Sequence, residues 1–210
     1  MRKFAVAALA LAMLAGCSSQ PSKPAAEVKK EETKPEAKAP DYETGRTAFQ
    51  RMYVSAHLWA PDARPYRLQS QYTKDAPKDG RAAIWHAAFA SAARRSIKGF
   101  VWSGASGEDA PARGVSSGTE DTYNPSNTST QVFDSSFLKI DSDKALAVAQ
   151  EHGGEKLMKK SPETPVVFAL DWNSGKNALV WHVLYGENRN DAKLKIAVNA
   201  STGAYIRTEK

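Results

Sequence analysis

Two nine-residue stretches of this chain read as siblings, and their likeness constrains the fold more than any other feature. Arg81-Ala82-Ala83-Ile84-Trp85-His86-Ala87-Ala88-Phe89 and Asn177-Ala178-Leu179-Val180-Trp181-His182-Val183-Leu184-Tyr185 each set a Trp-His pair inside an apolar run, with the tryptophans 96 positions apart. The same offset, carried forward without a gap, lays Phe100 to Gly107 over Ile196 to Gly203, so an apolar strand and a glycine turn coincide a second time. Self-similarity at fixed spacing marks a repeated supersecondary unit. A chain of 210 residues holds one mid-sized domain or two small ones. The repeat favours two.

The flanking patterns fill in each unit. Thr44 is placed to cap a helix over 45–59, where Ala48, Phe49, Met52, Tyr53, Ala56 and Trp59 recur at spacings of three and four; Pro61 ends it. Tyr66, Leu68, Ser70 and Tyr72 then alternate with polar residues, the period of a half-buried strand, before turn chemistry at 75–80. Return strands follow over 82–91 and 97–102. The second unit repeats the order: Asp141 or Ser142 caps a helix through Ala145, Leu146, Val148 and Ala149 that Gly153-Gly154 weakens, and Pro165 precedes a strand carrying Val166, Phe168, Leu170 and Trp172. Asn173 to Lys176 turns the chain into the Trp-His-Val strand. The expected fold class is α+β, two tandem repeats at 41–114 and 137–210, each a helix packed on an antiparallel β-meander. Residues 115–136, rich in Ser, Gly, Thr and Asn, read as a bridge with a short strand near 131–134.

The N-terminus carries a different message. Arg2 and Lys3, the apolar run Phe4 to Leu14 and the small residues after it have the order of an export signal, and the run is too short to span a bilayer. Leu14-Ala15-Gly16-Cys17 resembles the lipobox of bacterial lipoproteins. That resemblance implies cleavage after residue 16, a diacylglyceryl group on the Cys17 thiol and a palmitate-type acyl chain on the new amino terminus. Cys17 is the single cysteine, so no internal disulfide competes for it. Several buried chains, at about 0.8 kcal/mol per methylene, hold a protein durably on a membrane. Residues 17–40, dominated by Pro, Lys, Glu and Ala, cannot bury enough surface to order themselves and are expected to form a disordered, lipid-anchored tether. The expected location is the bacterial cell envelope, facing the periplasm from the outer membrane in a cell with two membranes.

Three stretches of the second half together resemble the PepSY domain family. These are Ile140 to Ala149, a Ser-capped helix with paired alanines; Trp181-His182-Val183-Leu184-Tyr185; and Ile196 to Ile206, which closes with Val198-Asn199-Ala200-Ser201-Thr202-Gly203. The first half is similar only through the internal repeat. The resemblance implies a small helix-on-sheet module of exported bacterial proteins that binds or restrains peptidases and other envelope partners without catalysis.

Site candidates are sparse. Trp85, Phe89, Trp181 and Tyr185 share one face of their strands and are the candidate surface for a peptide or protein partner if they line a cleft between repeats; otherwise they are core. His86 and His182 lie on the opposite faces, where two imidazoles are too few for a tight metal site. Gly114-Val115-Ser116-Ser117-Gly118 spells a nucleophile elbow, making a serine hydrolase built on Ser116 the alternative, but the strand-turn-helix context is missing. Asp141-Ser142-Asp143 suits helix capping better than calcium. No catalytic residue, cofactor or metal is expected. Lys and Arg number 29 against 23 Asp and Glu, a formal +6 spread along the chain, which argues against nucleic acid as a partner. A structural or assembly lipoprotein is the remaining alternative.

Overall fold

The computed structural model describes residues 38–107, 109–127 and 130–209. The export leader, Cys17 and residues 17–37 of the tether lie outside that range. In chain order the elements are β1 (Glu43–Thr44), α1 (Gly45–Trp59), β2 (Arg64–Ser70), β3 (Arg81–Ala82), β4 (Ile84–Ser91), β5 (Ser96–Ser103), β6 (Gly114–Thr122), α2 (Ser142–Ala149), α3 (Glu155–Lys160), β7 (Val166–Asn173), β8 (Ala178–Tyr185), β9 (Leu194–Asn199) and β10 (Tyr205–Glu209).

Helix α1 forms where the three-and-four pattern places it, burying Ala48, Phe49, Met52 and Ala56. It stops at Ala60, whose extended backbone is what a residue before proline prefers. Helices α2 and α3 are joined by a π-type turn, Gln150–Gly154, kinked at His152 and Gly153. Helix α1 packs on β4 and β5, and α2 packs on β8 and β9.

Eight strands make one antiparallel sheet in the order β10-β9-β8-β7-β2-β4-β5-β6, and β1 and β3 form a separate two-residue ribbon. The molecule is thus a large antiparallel sheet with few helices. The join is β2 with β7, through Arg67 opposite Asp171, Leu68 opposite Leu170 and Gln69 opposite Ala169. From the sequence, each repeat is expected to form its own meander, and a cleft between them is conditional; in the structure the two inner strands donate their free edges to each other and the strands form one sheet. An unpaired strand edge leaves backbone N–H and C=O groups unsatisfied, and mutual pairing of β2 and β7 removes two such edges.

The bridge is corrected as well. Residues 114–122 are strand β6, paired with β5 from Ser103 opposite Gly114 to Ser96 opposite Thr122. Its Ser, Gly and Thr side chains show no apolar alternation because nearly all of them are exposed; backbone pairing holds this edge strand, with Glu120 accepting from the Trp59 indole at 2.8 Å. No strand forms at 131–134. There Phe133 is buried and its N–H bonds the Pro65 carbonyl, ahead of a short 3-10 turn at Ser135–Phe137.

The helix starts meet over the middle of the sheet. Thr44 stands at the N-cap of α1 without bonding its backbone. That work falls to the start of α2: Asp141 accepts the Arg46 N–H (2.8 Å) and the Thr44 hydroxyl (2.7 Å), and Ser142 Oγ accepts the Gly45 N–H (2.8 Å) while donating to the Gly80 carbonyl (2.6 Å). Asp141 also accepts from Ser142 N–H at its own helix, so one carboxylate satisfies donors of both helices. Gly45 sits against both matched tryptophans; a Cβ there would lie 2.6 Å from the Trp181 ring and 2.9 Å from the Trp85 ring.

Candidate functional site

The aromatic stripe is core. Trp85, Phe89, Trp181 and Tyr185 are each 0% exposed, in one apolar cluster with Phe49, Met52 and Leu146. Trp85 and Trp181 meet edge-to-face at 6.3 Å between ring centres. Each indole N–H donates to the carbonyl just ahead of a helix N-cap, Trp85 to Glu43 and Trp181 to Ile140, both at 2.9 Å. A partner cannot reach these four rings, because the helices cover the face that carries them.

Among the described residues no helix covers the other face of the sheet, and its side chains form the site. One cross-strand row runs His182, Ala169, Gln69, His86, Val101 and Ser116 over β8, β7, β2, β4, β5 and β6. The two histidines therefore share a face but stand three strand spacings apart, about 14 Å, and do not meet. Ser116 lies two spacings from His86, about 10 Å, with Val101 between them. It sits in the middle of a strand rather than at a strand-to-helix elbow. Among the described residues no group of three or more His, Cys, Asp and Glu converges in a geometry that would hold a metal ion. His57 and His152 are remote from this row, His57 tilted against Tyr53 and His152 stacked on Tyr205.

His182 is the centre of a charged cluster. Its Nδ1 bonds Glu209 (2.7 Å) and its Nε2 bonds Asp171 (3.1 Å); Arg189 holds the second oxygen of Asp171 (3.0 Å) and Arg207 that of Glu209 (2.7 Å). Burial works against charge on His182, but the hydrogen bonds and charges of Asp171 and Glu209 outweigh it and lift the pKa above its ordinary value. Burial likewise opposes the charge on Asp171, and His182 and Arg189 overcome it; Glu209 is held low first by its bond to His182. With both ring nitrogens donating, the imidazolium keeps no lone pair for a metal. His86 differs: its Nε2 meets Gln71 at 2.8 Å, and burial pushes its pKa down.

Around this row the face is open and polar. Tyr72 and Ala192 cover Val167, Ala169 and Leu184 at one end. Arg67, Gln69, Gly99 and Gly118 remain exposed. Three adjoining depressions of about 770, 360 and 220 Å³ lie there, and Arg67 lines all three.

Arg67, Asp171, Arg189, Arg207 and Glu209 were not among the residues the sequence singled out. The signal for Arg67 and Asp171 is the alternation of β2 and β7, which leaves Arg67, on the face away from Leu68, and Asp171, on the face away from Phe168 and Leu170, as charges on the uncovered face. Glu209 has no signal, because it reaches His182 only through the pairing of β8, β9 and β10.

Fold and site together define an α+β protein whose sheet is covered by helices on one face and presents a charged, uncovered surface on the other. No family model matches the chain, and no curated protein matches it in sequence. It is similar in fold to the crystal structure of a candidate lipoprotein from Clostridium difficile 630, with a TM-score of 0.51 at 10% identity over 77% of this chain and 91% of that one.

Proposed function

We propose that this protein is a lipid-anchored component of the bacterial cell envelope, built from two PepSY-like units, that binds a peptide or protein partner without catalysis and docks it on the helix-free face of its sheet. The observation that carries the docking face is the position of Arg67, an exposed cation at the centre of the sheet bordered by three depressions. The duplication is supported by the equivalence of Trp85 and Trp181, each donating to the residue before a helix cap. Anchoring is supported by the lipobox at Leu14 to Cys17, and the fold's likeness to a candidate lipoprotein is consistent with it. The occupant that complements a basic, polar sheet face is an acidic peptide segment; restraint of a peptidase is one use of such binding.

Replacing Gln69 with a photo-crosslinking phenylalanine analogue, and Leu58 on the outer surface of α1 in a separate variant, tests the face. The expected result is a discrete adduct in the envelope from position 69 that excess acidic peptide competes away, with none from position 58. Adducts from position 58 alone would overturn it. Radiolabelled palmitate incorporated by wild type and absent from Cys17→Ala checks the anchor independently.

A further inference from the structure

We infer that Arg67 and the depression beside the His182 cluster form a carboxylate-binding site, in which Arg67 supplies the free charge and the histidine-centred network holds the remaining cations in place.

The charges around the depression are unequally committed. Asp171 gives one oxygen to His182 and the other to Arg189, and Glu209 gives one to His182 and the other to Arg207. Each of the four carboxylate oxygens thereby has a cationic partner. Arg67 stands directly across from Asp171 on the neighbouring strand, yet its guanidinium makes no hydrogen bond or ion pair with any described residue. A guanidinium next to a carboxylate ordinarily pairs with it; here Asp171 bonds His182 and Arg189 instead. Arg67 is left with its planar fork of donors open to the depression, which Arg189 and Arg207 also line.

The cation without a partner selects the ligand. Three arginines and the His182 imidazolium face two carboxylates, but Arg189, Arg207 and His182 each already bond at least one of them, which leaves Arg67 alone unpaired. A monoanion matches it, and the flat guanidinium fork fits a carboxylate in two parallel hydrogen bonds. A phosphate would bring a second negative charge toward Asp171 and Glu209, whose charges are already close by. Gln69, exposed on the same face of β2, adds an amide donor alongside. The ligand class is a carboxylate carried by a peptide, either a Glu or Asp side chain or a chain terminus.

This assignment rests on the docking face proposed above, and the two fail separately. Binding to the folded protein is measured by titration calorimetry with four probes: acetyl-Ala-Glu-Ala amide, acetyl-trialanine with a free carboxyl terminus, inorganic phosphate and, as the control without a carboxylate, acetyl-trilysine amide. The carboxylate probes are expected to bind and to weaken as salt rises. Arg67→Gln, which breaks no internal bond, is expected to weaken them about tenfold or more, with Arg67→Lys in between. The stronger of the two carboxylate probes identifies the source as side chain or terminus. Binding of phosphate alone, or equal affinities in wild type and Arg67→Gln, would overturn the carboxylate site. Crosslinking at position 69 that persists in Arg67→Gln leaves the docking face standing without it; carboxylate binding with no crosslink at position 69 does the reverse.

Discussion

His86 and His182 occupy matching places on matching strands, each one residue after a tryptophan that anchors a helix start, yet they have opposite electrostatic fates. At the first, the ring nitrogen Nε2 meets the neutral amide of Gln71, and burial lowers the pKa. At the second, Nε2 meets the carboxylate of Asp171, Nδ1 meets Glu209, and the pKa rises. Aligning the two strands on Pro65 and Pro165 lays Gln71 over Asp171, so the bond is shared and only the charge of its acceptor differs. At the 96-residue offset Glu209 falls on Arg113, whose guanidinium instead bonds Asp41. One half of the sheet therefore carries a neutral histidine and the other a charged cluster. The helix-covered side of the two strands is alike while the open side differs, as expected where one side must pack and the other faces solvent.

The largest effects should come from the side that is alike. Trp85→Ala and Trp181→Ala each remove a fully buried indole and leave a carbonyl without its donor, and each should cost about 3–5 kcal/mol in urea denaturation. A small cost at either position would break the equivalence of the two strands.

Next comes the side that differs. His182→Gln leaves two carboxylates facing each other without the imidazolium between them. It should destabilise by about 2–3 kcal/mol, below the usual cost of breaking a fully buried pair because Asp171 keeps 36% of its side chain exposed. His86→Gln should cost about 1 kcal/mol or less. Equal losses would show that the clasp adds nothing beyond packing.

The pH dependence sharpens the contrast. His182 has a folded pKa above its ordinary 6.5, so its contribution is complete below that value and fades as pH rises through the folded pKa. Asp171 and Glu209 are depressed below 3.8 and 4.5, so the same contacts are complete above those values and are lost as pH falls through the depressed ones. The stability gap between wild type and His182→Gln should be widest from about pH 4.5 to 6.5 and should narrow toward pH 9. Histidine ring resonances in an NMR titration should place His182 above 6.5 and His86 below it; a gap independent of pH would mean that His182 carries no charge in the fold.

The smallest effect is a conversion. Gln71→Glu gives His86 the acceptor charge that His182 has, and should move the His86 pKa upward past its ordinary value with a stability change of under about 1 kcal/mol. An unmoved titration would show that Glu209, rather than Asp171, sets the behaviour of the charged half.

Much of the covered side was legible beforehand. The α1 stripe, the kink after Ala149, the alternation of β2 and β7 and the Trp-His strands are local patterns, and local patterns report local structure. Strand β6 was hidden because Gly114 to Thr122 buries no face and so shows no period. The cluster around His182 was hidden for another reason: Asp171 and Glu209 are 11 and 27 residues from it, on different strands, with no pattern linking them.

What the chain determined by itself is therefore the helix α1, the Trp-His strands and the side of each strand that must be buried. Only the tertiary structure decided that β2 and β7 join the halves into one sheet, that Asp141 caps both helices, and that Arg67 is left uncommitted at the centre of the open face. The physical reason is the same in each case: hydrophobic periodicity is written along the chain, whereas the pairing of strand edges and the sharing of a carboxylate among distant donors are settled by which groups remain unsatisfied once the covered face has packed.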